Sequence, residues 1–233
     1  EVLQPGRLPE TLMNANAPDD LQRIYEARFR ANLDYRRAVW RVLIDDFFQR
    51  HVRPTDAVLD LGCGYGEFIN QVRCAKKFAM DLNPDMPQRV DKGVQALLQD
   101  CSTPWQLPDE SLDVVFTSNF FEHLPDKAAL GRTLDQARRC LKPGGRLMAL
   151  GPNIKYLPGA YWDFWDHYLP LTELSLREAL ENRGYAMEEC IPRFLPYTMA
   201  GGPQYPVWCL KLYLKLPLVW PIRGRQFLVI ARK

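Results

Sequence analysis

The chain has 233 residues, 47% of them hydrophobic, enough for one sizeable core in one domain. Its 30 basic and 28 acidic residues leave a formal net charge of +2, which gives no reason to expect a polyanionic partner such as nucleic acid. Six cysteines, at 63, 74, 101, 140, 190 and 209, form no CxxC pair and only three histidines accompany them, so no metal centre is expected and the thiols suit the reduced core of a cytoplasmic protein.

From the N-terminus, no stretch reads as a signal peptide and no apolar run approaches the length of a membrane span. Residues 1–20 are rich in Pro, Asn and Asp and read as an extended lead-in. From Asp20 to about Arg50, Leu21, Ile24, Tyr25, Phe29, Leu33, Val39, Trp40, Leu43, Ile44 and Phe47 recur at helical spacing, predicting one long or two short amphipathic helices. Residues 1–50 are thus expected to form a helical cap on a domain spanning 51–233. Ala57–Leu61 is a short apolar run ending in glycines, followed by a helical stretch from Glu67 to Cys74. Further strands are predicted at 78–81, 94–99, 112–117 and 146–150, with a helix over 126–141 that Pro143-Gly144-Gly145 closes. Alternation of this kind describes a doubly wound, Rossmann-like α/β domain with helices on both faces of the sheet. Residues 151–171 and 192–224 read as irregular and aromatic-rich. Between them lie a helix over 172–183, with Thr172 as N-cap, and a strand over 185–191; a final strand covers 226–231.

The first strand ends in Asp60-Leu61-Gly62-Cys63-Gly64-Tyr65-Gly66-Glu67. Glycines let the backbone turn sharply and let a ligand approach the main chain. The spacing is G-x-G-x-G, and the next glycine is Gly93, so the dinucleotide fingerprint G-x-G-x-x-G is broken at its third position. Asp60 and Glu67 flank the loop, where carboxylates would repel a pyrophosphate but suit a ligand bearing an ammonium group and no phosphate. Asp81, 19 residues past Gly62, is placed to accept both ribose hydroxyls of an adenosine, and Asp100 to reach the adenine. Singly, such aspartates are turn residues; three at successive strand ends describe a nucleoside site.

These motifs (V-L-D-L-G-C-G-Y-G-E-F, M-D-L-N-P, L-L-Q-D-C, L-D-V-V-F-T-S-N-F-F-E-H-L and L-K-P-G-G-R-L) together resemble class I S-adenosylmethionine-dependent methyltransferases over residues 55–151. The resemblance implies a seven-stranded, mostly parallel sheet whose last strand is antiparallel. It also implies S-adenosylmethionine as cofactor, held by Asp60, Gly62, Cys63, Gly64, Asp81, Asp100 and Asn119, with Leu82 on the adenine and the Cys101 backbone beside it. The segment W-D-F-W-D-H-Y-L-P-L-T is similar to one in methyltransferases of bacterial polysaccharide and lipid-linked sugar pathways. Its acceptor would then be a small molecule or glycan.

A hydroxyl acceptor calls for a base. His51 reads as a surface residue and His123 as support for the cofactor pocket, which leaves His167, oriented by Asp163 or Asp166, as the candidate; the competing reading is a histidine pinning a loop. Tyr161, Trp162, Trp165, Tyr197, Tyr205 and Trp208 are candidates for an acceptor pocket or for a lid's core. Arg28, Arg30, Arg36, Arg37 and Arg41 either clamp an anion or form a solvated face. The run from Leu210 to Trp220 mixes lysines with apolar residues and either rests on a membrane surface or packs on the domain. O-methylation of a small or sugar-containing acceptor leads. The alternatives are nucleic-acid or protein methylation and a non-catalytic cofactor-binding scaffold. Ser118-Asn119-Phe120-Phe121 lacks the D/N-P-P-Y/F pattern of base-amino methylation, and an NAD-dependent oxidoreductase fails on the glycine spacing.

Overall fold

A computed structural model describes residues 32–197 and 204–233. Seven strands form one sheet: β1 (Ala57–Leu61), β2 (Lys76–Asp81), β3 (Val94–Leu98), β4 (Leu112–Ser118), β5 (Leu141–Pro152), β6 (Ala186–Leu195) and β7 (Gln226–Arg232). Their order is β3-β2-β1-β4-β5-β7-β6. Only β7 runs against its neighbours. β1 is buried at every position, as a strand covered on both faces must be. The chain reverses its winding direction between β1 and β4, and this switch point is where open α/β sheets hold their ligands.

Among the described residues, six α-helices pack on the sheet: α1 (Leu33–Asp46), α2 (Met86–Arg89), α3 (Lys127–Cys140), α4 (Glu173–Glu181), α5 (Val207–Leu214) and α6 (Trp220–Arg223). The period-two alternation of β4 sends Val115 to one face of the sheet and Val114 and Phe116 to the other. On the first face, Leu130, Leu134 and Ala137 of α3 and Leu176 and Leu180 of α4 close the core. On the second, α1 contributes Val39, Trp40, Leu43 and Ile44, and α5 and α6 contribute Leu214 and Trp220. Phe116 stacks on Phe68 (centroids 3.7 Å, 18°) and meets the edges of Trp40 and Phe48, which ties α1 to the centre of the sheet. Two helix starts are fixed by side-chain caps. Asp126 accepts the Ala129 N–H at 2.7 Å before α3, and Thr172 and Ser175 form a reciprocal capping box before α4.

Several elements depart from the sequence reading. The expected helix over 67–74 is a succession of turns. Ile69 donates its N–H to Asp60 Oδ2 at 3.3 Å instead of to a carbonyl one turn back, and the Glu67 and Asn70 carbonyls accept from side chains of Gln71 and Lys77. β5 begins at Leu141, earlier than expected, because Pro143-Gly144-Gly145 is drawn into the sheet by the chain end: Gly144 donates to Lys233 O and Lys233 to Gly145 O. β6 continues to Leu195, and the segment read as irregular after it contains α5 and α6. Over its described part, from residue 32, the predicted helical run is α1 followed by a 3-10 turn over Phe48–His51. The lead-in over 1–20 and Leu21, Ile24, Tyr25, Arg28, Phe29 and Arg30 lie outside the described residues. Among the described residues no helix is long and apolar enough to cross a membrane, and all six cysteines are free.

Candidate active site

The glycine loop takes its shape from three left-handed turns, with φ of +68° at Gly62, +54° at Gly64 and +72° at Gly66. The N–H groups of Gly62 and Cys63 both reach the Met80 carbonyl, at 2.8 and 3.2 Å, which fastens the loop to the end of β2. Space matters as much as dihedral freedom at Gly62, where a Cβ would lie 2.1 Å from the Phe120 ring. Gly62→Ala is therefore expected to cost about 3 kcal/mol, from left-handed strain plus displacement of that ring. Urea unfolding measures it, and a loss below about 1 kcal/mol would show that the loop tolerates a side chain there.

Asp81 organises the same corner. Its carboxylate accepts Gly64 N–H at 2.8 Å and Asn83 N–H at 2.9 Å, and burial pushes its carboxyl above the usual range. Asp60 is fully buried behind the loop, and burial pushes its carboxyl well up, with Glu67 and Asp81 adding in the same direction. Glu67 is held by Arg36 of α1 at 2.7 Å, so an ion pair occupies the acid that flanks the loop. Asp100 accepts the Ser102 N–H at 2.7 Å and shapes the turn after β3. Cys101 is buried against Thr133, its thiol pushed up to about 12 by that burial. Asn119 sits at φ +49°, its N–H bonded to Leu150 O at 2.8 Å. Leu82 is half exposed. Asp60, Gly62, Cys63, Gly64, Asp81, Leu82, Asp100, Cys101 and Asn119 all line one cavity of about 1220 Å³.

His167 and Asp166 line the same cavity, but in a different pairing from the expected one. His123 Nδ1 lies 2.8 Å from Asp166 O and 3.2 Å from Asp166 Oδ2. Both partners are acceptors, so Nδ1 carries the proton and Nε2 the lone pair. His167 is buried instead, its Nδ1 bonded to Tyr161 O at 2.9 Å and its ring stacked on Phe164 at 4.9 Å. Asp166 thus orients His123, where the sequence reading gave it to His167. The wide sequence separation of 43 residues hid this contact. His51 lies away from the cavity beside Glu189 and is pushed down to about 4, by burial first and then by Arg50.

Of the six aromatics, Tyr197 and Tyr205 line the cavity; Tyr161 is in the core, its hydroxyl on Leu169 O, and Trp162, Trp165 and Trp208 face outward. Arg36 lines it too, Arg41 approaches Gln71 at 3.4 Å, and exposed Arg37 pairs with Asp34 at 3.9 Å. Two residues that the sequence did not single out belong to the site. Gln226, at the start of β7, is buried and lines the cavity; its Oε1 has no hydrogen-bond partner among the described residues. Glu122 is fully buried and pushed up to about 7, by burial first, with His123 opposing and Asp166 adding. Glu122, His123 and His167 bring three ligand-type atoms together at separations of up to 4.8 Å. Ligands of one zinc ion stand roughly 3.3 Å apart, so the three would have to contract to hold one.

Because the Glu122 carboxyl is raised above its unfolded value of 4.5, its contribution is fully present below that pH and is lost as pH rises through about 7. Glu122→Gln should therefore match the native protein near pH 4.5 and exceed it by roughly 3 kcal/mol above pH 7. Urea titrations across this range check it; a constant difference between the two proteins would contradict it.

The residues fit a phosphate-free nucleoside. A carboxylate offers about four acceptor sites, and the buried Asp81 has hydroxyl-binding capacity left beyond its backbone contacts. Asp60, Glu67 and Asp81 stand beside the glycine loop; of the arginines there, Arg36 is paired with Glu67 and Arg89 lies over the Tyr65 ring at 4.8 Å.

Sheet order, antiparallel β7 and this site together define the class I methyltransferase fold. The profile of a methyltransferase domain family matches residues 33–189, and the chain belongs to that family. A demethylmenaquinone methyltransferase of Symbiobacterium thermophilum is 28% identical over 139 residues, 54% of this chain and 55% of that protein. A 27-O-demethylrifamycin SV methyltransferase of Amycolatopsis mediterranei is 32% identical over 43% of this chain and 39% of its own. The chain thus spans about half or less of the length of these curated relatives. The crystal structure of an S-adenosylmethionine-dependent methyltransferase from Archaeoglobus fulgidus shares the fold, with a TM-score of 0.65 at 21% identity over 92% of this chain and all of that one. S-adenosylmethionine is the cofactor of this family.

Proposed function

We propose that the protein transfers a methyl group from S-adenosylmethionine to a hydroxyl of a small-molecule or sugar-containing acceptor. The observation that carries this reading is one cavity lined by the glycine loop and Asp81 together with His123 and Asp166. Bound S-adenosylmethionine supplies a methyl group on a positively charged sulfur. The chain's own contribution is alignment, exclusion of water and handling of one proton. His123 Nε2 accepts the hydroxyl proton as the oxygen–carbon bond forms and the sulfur–carbon bond breaks. Asp166, acting on Nδ1, holds the imidazole in the tautomer that this requires and stabilises the imidazolium. His167 then serves as a buried support. Relatives that act on a demethylmenaquinone and on a rifamycin support a small-molecule acceptor over nucleic acid.

The test is purified protein with methyl-labelled cofactor and a panel of sugar and phenol acceptors. Label in an alkali-stable ether supports the reading, and label confined to nucleic acid or protein overturns it.

A further inference from the structure

Charge is distributed unevenly along this chain. After Glu189 no acidic residue occurs, while seven basic ones do: Arg193, Lys211, Lys215, Arg223, Arg225, Arg232 and Lys233. The first 189 residues carry 23 basic and 28 acidic side chains, so the small net charge conceals a basic C-terminal fifth. Lys211, Lys215, Arg223 and Arg225 are all exposed.

The same segment exposes large apolar side chains. Trp208 is 63% exposed, Leu218 91% and Ile222 71%, and Leu212 and Leu216 are also exposed. Trp208 and Leu212 are one turn apart on α5, so they share a face. Soluble domains seldom cluster so many large apolar side chains on the outside without a partner. A polyanion such as RNA would explain the lysines and arginines but not the leucines. An anionic bilayer explains both, since apolar side chains enter the headgroup boundary while Lys and Arg meet the lipid phosphates.

Tyr205 and Ile222 are at once outward-facing and part of the cavity wall, which makes residues 205–223 the rim of the cavity. Val207, Leu210 and Tyr213 continue that wall inward, whereas His123, Asp166 and Gln226 lie among the polar residues of the lining. We infer that residues 205–223 dock the protein on an anionic membrane surface, opening the cavity toward the lipid so that an acceptor with an apolar tail enters from the bilayer. The acceptor half of this inference rests on the methyl-transfer reading above; the docking half does not.

Co-sedimentation of the whole chain with phosphatidylcholine vesicles, with and without phosphatidylglycerol, tests it. The native protein is expected to partition at least about tenfold more strongly onto the anionic vesicles, and salt should weaken that binding. Trp208→Glu with Leu218→Glu should lower partitioning about tenfold or more. Lys211→Glu with Lys215→Glu should abolish the preference for phosphatidylglycerol. Titration with S-adenosylhomocysteine reports whether each variant is folded, because none of these four residues lines the cavity. Undiminished vesicle binding by a folded variant would overturn the inference. So would absence of binding by the native protein, or a dimer in sedimentation velocity that dissociates on Leu218→Glu. None of these results bears on methyl transfer to a soluble acceptor.

Discussion

Asp81→Ala is expected to lower affinity for S-adenosylhomocysteine about a hundredfold, near 3 kcal/mol for charge-assisted bonds to two hydroxyls. The loss has two sources. The buried carboxylate is the acceptor at the end of β2, and it also holds Gly64 and Asn83 through their N–H groups. Asp81→Asn separates the two, since an amide keeps the shape and one oxygen but presents donors on the other side. Affinity for the asparagine variant should fall between native and alanine. Calorimetry on all three proteins measures it; equal affinity across the series would take Asp81 out of the nucleoside site.

His123→Ala is expected to lower kcat by about a hundredfold or more while leaving S-adenosylhomocysteine affinity within about twofold. Asp166→Asn should weaken turnover in the same direction. The amide no longer stabilises the imidazolium or fixes its tautomer, and the acidic limb of the kcat profile should move. Asp166 is a positioning residue in this account, and the displaced pH profile separates that role from a structural one. His167→Gln, which replaces a buried, stacked ring, should chiefly lower stability. If His167→Gln abolished turnover in a folded protein and His123→Ala did not, the two histidines would exchange roles.

The half of the site built from local chain was legible in the sequence, and the half built from distant contacts was not. A glycine loop announces itself because left-handed turns restrict residue choice, and an acid at a strand end is fixed by counting along the strand. All nine residues read as cofactor contacts line one cavity for this reason. The pairing of Asp166 with His123 crosses 43 residues, and no local pattern encodes it; adjacency in sequence suggested His167 instead. Gln226 was invisible for the same reason, a polar residue opening a strand whose partners come from across the sheet. The turn at Glu67–Cys74 was misread as helix because its apolar spacing is helical, while buried Asp60 diverts the Ile69 amide that a helix needs. The basic C-terminal fifth is present in the sequence, but a whole-chain net charge of +2 averages it away.

Thermal unfolding of the native chain, with saturating S-adenosylhomocysteine in one arm and NAD in the other, distinguishes a phosphate-free nucleoside site from a dinucleotide site. A site of this construction predicts a rise in melting temperature with S-adenosylhomocysteine alone, equivalent to about 2.7 kcal/mol at a hundred times Kd. No rise with S-adenosylhomocysteine, or an equal rise with NAD, would contradict the account.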